Sequence, residues 1–187
     1  MRTGSRQRSG SEAAAGLTHI QLAAHRRFRQ AARSLNAPFI MASEFKALRR
    51  VEFSETDMAG IVHYSNFFKY METAEHAFFR SLGFSIISRH TDPPVGWPRV
   101  HASCDYRHPL HFEDEVEIHM LVAEKKAKSL SYLFKFRKLN GPHPVEVARG
   151  KLTVVCVTRD VHGKMSSVPI PKDIDEKIEV APAELLA

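Results

Sequence analysis

Between Asn66 and Leu82 apolar side chains return every three or four positions. Phe67, Met71, Ala74, Phe78 and Leu82 form one continuous stripe, which predicts a helix over this stretch. Phe68, Tyr70 and Phe79 widen the stripe, so the helix is expected to be covered on more than one side. Ser65 or Asn66 can cap its start, and Gly83 is placed to end it in the left-handed region. Elsewhere the pattern is that of strands: Phe45–Phe53 before the helix, then Arg99–Tyr106, Glu115–Ala123, Ser129–Leu139 and Glu146–Thr158, with a short one near Lys164–Val168. A Pro-rich connection over 92–98 follows the helix, and Asn140-Gly141-Pro142 and Asp160-Val161-His162-Gly163 are turns between consecutive strands. The prediction is an α+β fold, an antiparallel sheet of five or six strands wrapped around one long central helix.

Charge divides the chain in two. The formal net charge is +6, but residues 1–40 hold seven Arg and one acid, Glu12. From totals of 27 basic and 21 acidic residues, this leaves 20 of each over 41–187. A neutral body argues against nucleic-acid binding, and no apolar run approaches the ~20 residues that span a membrane. Residues 1–40 read as a basic, disordered extension, either a transit peptide or an upstream translated segment before Met41. The expected location is cytoplasmic, or an organelle if the extension is a transit peptide. Cys104 and Cys156 sit in strand-like apolar contexts that suit buried free thiols. His108-Pro109-Leu110-His111 has a superficial metal-ligand spacing, but Pro breaks the geometry and no third ligand is evident, so no metal is expected.

The chemistry concentrates in Glu55-Thr56-Asp57-Met58-Ala59-Gly60-Ile61-Val62-His63-Tyr64-Ser65-Asn66-Phe67. This run sets a carboxylate after a strand, a small turn behind it, and a helix start a few residues on. A helix start offers unpaired N–H groups and partial positive charge. A carboxylate facing such donors across one reacting atom is equipped to attack a polarised carbonyl. The bland alternative is a turn carboxylate at Asp57, since Asp is common at such places. Glu72 and Glu75 read first as solvated or salt-bridged helix positions.

From Phe45 to Pro171 the body resembles the hotdog-fold acyl-CoA thioesterases of the 4-hydroxybenzoyl-CoA thioesterase group, including the Tol-Pal-associated enzymes. The likeness rests on Asp57 through Phe67, Glu72 and Ala74, with weaker echoes at Tyr106–Leu110 and Lys128–Leu130. It implies a hotdog thioesterase domain over 41–187 that hydrolyses an acyl-CoA to free acid and CoA. Asp57 would be nucleophile or general base, and a backbone N–H near Tyr64 would hold the thioester oxygen. His63 is a candidate to bond substrate or orient Asp57. Gly60 would let the backbone turn beneath the acyl group, with Val62, Asn66 and Phe67 also against substrate. Lys128, Ser129 and Arg159 are candidates for the CoA phosphates. No cofactor is implied, since CoA is part of the substrate.

The His63-Tyr64 order differs from the Tyr-His order of the Tol-Pal type, so neither subfamily's substrate carries over. Hotdog proteins pair sheets edge to edge, which implies a homodimer or homotetramer with the site at the interface. The rival functions are a non-catalytic acyl-thioester-binding protein, a thioesterase for acyl carrier protein, and a dehydratase. The last lacks its His-Phe-Pro motif here, because His111-Phe112 is followed by Glu113.

Overall fold

Strand β1 (Glu44–Arg50) alternates exposed and half-buried residues. The computed structural model describes residues 41–88 and 91–187 of the chain; the expectations for residues 1–40 lie outside them. After β1 come a 3₁₀ turn (Phe53–Glu55) and helix α1 (Ser65–Ser81). Strands β2 (Val95–Gly96), β3 (Arg99–Tyr106), β4 (Glu115–Lys126), β5 (Ser129–Lys138), β6 (Val145–Val155), β7 (Val157–Arg159) and β8 (Met165–Ser167) follow. Two short helices close the chain, α2 (Lys172–Asp175) and α3 (Ala183–Leu186).

Five strands form one antiparallel sheet in the order β1-β4-β5-β6-β3, so β1 and β3 are its edges. The period-two pattern of β5 decides its faces. Leu130, Tyr132, Phe134 and Phe136 enter the main core with the buried side of α1, and Leu133 points to the other face. Phe67 meets Phe136 and Tyr106 edge-on, at centroid distances of 5.2 and 5.1 Å. Gly150 in β6 lies directly under the Met71 sulfur, where a Cβ would collide. Glycine at this point lets helix and sheet approach.

The outer face carries a smaller cluster, Leu121, Leu133 and Ala181, covered by Leu185 and Leu186 of the chain end. Neither α2 nor α3 was signalled by periodicity, because four residues are too few to show one.

Three boundaries differ from expectation. The first strand stops at Arg50, because the Glu55 side chain and the Glu52 backbone close a capping box around the 3₁₀ turn. The long strand predicted over Glu146–Thr158 breaks at Cys156. There the N–H bonds the Lys128 carbonyl, and the chain goes on to a second, three-stranded sheet, β2-β7-β8. Ser65 and Asn66 do not cap α1: its cap residue is Tyr64, with no side-chain cap bond. At the other end Gly83 does take a left-handed φ of 87°, and the Phe84 N–H closes on the Phe79 carbonyl at 2.9 Å.

Candidate active site

The loop between the 3₁₀ turn and α1 is held from both sides. The Val62 N–H donates to the Leu110 carbonyl at 2.8 Å, and Thr56 pairs with Val62 across the loop. Within it, the Asp57 N–H donates to Ile61 O and the Gly60 N–H to Asp57 O, both at 2.9 Å. Gly60 has φ 74°, a conformation that a side chain would strain. One Asp57 carboxylate oxygen accepts the Ala59 N–H at 2.8 Å. The other has no hydrogen bond among the described residues.

Glu55 fastens this loop to the helix. Its backbone carbonyl accepts two bonds, from the His63 N–H at 2.9 Å and from the Asn66 side-chain amide at 2.7 Å. Its carboxylate accepts the Glu52 N–H at 2.9 Å, the Tyr70 hydroxyl at 2.8 Å, and the Arg49 guanidinium. Arg49 also stacks on the Tyr70 ring, 4.6 Å from its centroid. Burial opposes ionisation of Glu55, but the Glu52 N–H, Arg49 and Tyr70 outweigh it and hold its carboxyl below the usual range. Burial, then the bond to Glu55, pushes the Tyr70 hydroxyl well above its ordinary value.

At the helix entrance, His63 Nδ1 lies 2.8 Å from Ser65 Oγ and makes no hydrogen bond to Asp57. The partner of His63 in the structure is the first helical residue, Ser65. The Tyr64 carbonyl accepts the Tyr106 hydroxyl at 3.2 Å, while its N–H has no hydrogen bond among the described residues. The Tyr64 side chain is 62% exposed, and Asp57 and Met58 are exposed too.

Asp57, Gly60, Val62, His63, Tyr64, Asn66 and Phe67 thus lie on one loop and helix start. Asn66 and Phe67 are buried there, Asn66 holding the loop and Phe67 the core. Lys128, Ser129 and Arg159 lie elsewhere. Tyr106 pairs with Ala148, which pairs with Phe136, and Ser129 is seven residues further along β5, roughly 23 Å away. Lys128 Nζ donates to the Ser167 carbonyl at 3.3 Å, and Arg159 reaches the Met165 sulfur. A hollow of about 500 Å³ opens on the sheet's outer face, lined by residues such as His101, Asp105, Leu133 and Arg149, with no residue of the Asp57 loop.

The link between Glu55, Tyr70 and Arg49 was not read from sequence, where Glu55 stands only as the first residue of the run and Tyr70 only in the helix stripe. The available signal was Glu52-x-x-Glu55, a capping-box spacing immediately before Asp57. Glu75 departs from the solvated alternative: it is 0% exposed and is bonded by Arg99 at 2.7 Å, with Glu72 3.2 Å from the same guanidinium.

Residues 51–178 match the thioesterase-like superfamily. An Aquifex aeolicus (strain VF5) protein, whose name assigns it provisionally to the esterases, is 35% identical over 70% of this chain and 94% of its own. A solved gentisyl-coenzyme A thioesterase is 34% identical, with a TM-score of 0.60 over 70% of this chain and 99% of its own. The 4-hydroxybenzoyl CoA thioesterase from Pseudomonas sp. strain CBS-3 shares the fold at 21% identity, with a TM-score of 0.64 over 72% and 99%. The five-stranded antiparallel sheet packed on a helix is the hotdog fold shared with these structures. This chain belongs to the thioesterase-like superfamily and is a thioester hydrolase. No helix among the described residues is long and apolar enough to cross a membrane.

Proposed function

We propose that the protein hydrolyses an acyl-CoA, with Asp57 as nucleophile or general base and the Tyr64 N–H as oxyanion donor. The observation that carries this reading is the pairing, on one braced loop, of a carboxylate with a free oxygen and a helix-start amide without an acceptor. Attack on a thioester carbonyl moves negative charge to its oxygen. A donor fixed at a helix N-terminus stabilises that charge, an effect worth roughly 3–4 kcal/mol in well-studied hydrolases. If Asp57 attacks, a C–O bond forms as the C–S bond breaks, CoA leaves as thiolate, and water opens the mixed anhydride. If Asp57 acts as base, it takes the proton of the attacking water and the same thiolate leaves. Thiolate is a good leaving group, so neither route needs a dedicated acid.

The 34% identical relative that acts on gentisyl-coenzyme A supports a CoA thioester as substrate, and an aromatic acyl group belongs in the test panel. Two copies pairing antiparallel along edge strand β3 would complete the site. Val100 and Tyr106 on β3 and Met58 and Tyr64 on the loop are exposed apolar or aromatic side chains that such pairing would cover. Antiparallel pairing about the middle of β3 sets the second copy's Arg99 end opposite Tyr106. It carries that copy's Lys128, Ser129 and Arg159 towards the CoA phosphates, across the distance that separates them from Asp57 within one chain.

The test is thiol release from acetyl- to palmitoyl-CoA and benzoyl-CoA by wild type and Asp57→Asn. Turnover that falls ~10²-fold or more in the variant supports the reading. Hydrolysis of no member moves the protein to acyl-thioester binding or to a carrier-protein substrate.

A further inference from the structure

We infer that Glu55, clamped by Tyr70 and Arg49, is a positioning residue that sets Asp57 against the Tyr64 amide. This rests on the proposed roles of Asp57 and Tyr64 and adds three side chains to that site.

Each bond of Glu55 has a direction. Its side chain ties it back to β1 through Arg49 and forward to the second turn of α1 through Tyr70. Its main chain ties it to the helix entrance through the His63 N–H and the Asn66 amide. Asp57 is two residues away, with Thr56 held in its bridge to Val62. The chain from Glu55 to Asn66 is therefore a twelve-residue loop closed at its neck by two hydrogen bonds to one carbonyl. The carboxylate proposed for attack and the amide proposed for the oxyanion both lie on this loop, and the neck fixes their separation.

Burial separates this arrangement from an ordinary surface ion pair. The Glu55 side chain is 12% exposed, Tyr70 1% and Asn66 6%. Arg49 is 33% exposed and its Nε is buried without a partner, but both oxygens of the Glu55 carboxylate are bonded, so Glu55 resists displacement where an exposed pair would not. Small displacements of reacting groups cost rate steeply, about 10²-fold for 1 Å. Neither the Tyr70 hydroxyl nor the Glu55 carboxylate has a free polar group to offer a substrate, since each is already engaged. Their effect on turnover must pass through Asp57 and Tyr64.

The experiment is a double-mutant cycle in the full-length protein. Tyr70→Phe removes one oxygen and keeps the ring beneath Arg49. In the wild-type background it is expected to lower kcat about tenfold and leave KM for the acyl-CoA within about twofold. In the Asp57→Asn background, the same change is expected to alter residual turnover less than about twofold. Glu55→Gln, which is isosteric, is run through the same cycle and stands in should Tyr70→Phe fail to accumulate as folded protein. An unchanged kcat in the wild-type background overturns the clamp. An equal loss in both backgrounds does so too, because it marks a general effect on the fold. Full turnover by Asp57→Asn alone fails differently: it removes the role of Asp57 first, and the clamp with it.

Discussion

The two ends of helix α1 use buried charge in opposite ways. At the entrance, Glu55 is ionised and its bonds are met: a guanidinium, a hydroxyl and a backbone N–H share its two oxygens. Two turns and more further on, Glu75 is buried with one oxygen on Arg99 and the other without a partner. The Tyr132 hydroxyl and the Trp97 indole N–H are likewise buried without partners among the described residues. Burial, more than the repulsion of Glu72, pushes the Glu75 carboxyl up to about 7 against the pull of Arg99. Arg49 Nε at the entrance is also buried without a partner, but the Glu55 carboxylate itself is fully bonded and stays charged, whereas the incompletely bonded Glu75 is sensitive to pH.

The sharpest way to break this comparison is to remove the one charge at the entrance that is not part of the brace. Asp57→Asn is expected to cost turnover ~10²-fold or more while the melting temperature stays within about 2 °C of wild type. A large fall in melting temperature would make Asp57 a structural turn residue instead. At the far end the balance reverses. Arg99→Ala leaves Glu75 buried without its cation and is expected to cost roughly 1–3 kcal/mol in urea-monitored stability. Denaturation midpoints equal to wild type would mean that Glu75 simply takes a proton at no cost.

The pH dependence follows from the direction of the Glu75 shift. Its folded-state value, about 7, lies above its ordinary 4.5, so the fold favours the protonated acid. That contribution is complete below about 4.5 and is lost as pH rises through about 7. Thermal melts from about pH 5 to pH 8 should show the loss in wild type, and Glu75→Gln should flatten the slope. A slope preserved in the Gln variant would assign it to another group. The smallest effect tests whether the two ends meet across a pair of copies. Lys128→Ala is expected to raise KM for acyl-CoA about two- to fivefold while leaving KM for a pantetheine thioester unchanged. Equal changes for both substrates would detach Lys128 from the phosphates.

Much of this was legible in sequence, for reasons that can be located. The stripe from Phe67 to Leu82 marked α1 within one residue at each end, because a helix of this length repeats its pattern several times. Arg99–Tyr106 was read with its observed ends, bounded by Pro98 before and a non-strand turn after. The break at Cys156 was not legible. Val154 to Thr158 is uniformly β-favouring, and only pairing with a distant turn decides that the chain leaves one sheet for another. At the proposed site, sequence offers Asp57 and Tyr64 as candidates because a loop motif keeps its residues within a dozen positions, and the structure places both on one loop. The Glu55 clamp did not, since Arg49 and Tyr70 come from a strand and a helix that only the fold brings together. The burial of Glu75 was hidden for a related reason: a second polar residue beside Glu72 looks solvated until the sheet closes over it.

Gly150 acts as a gauge block. With no side chain beneath Met71, it leaves room for that residue's sulfur where a Cβ would collide with it. A residue with no chemistry, in the middle of a strand, thereby decides how closely the helix can lie on the sheet at Met71.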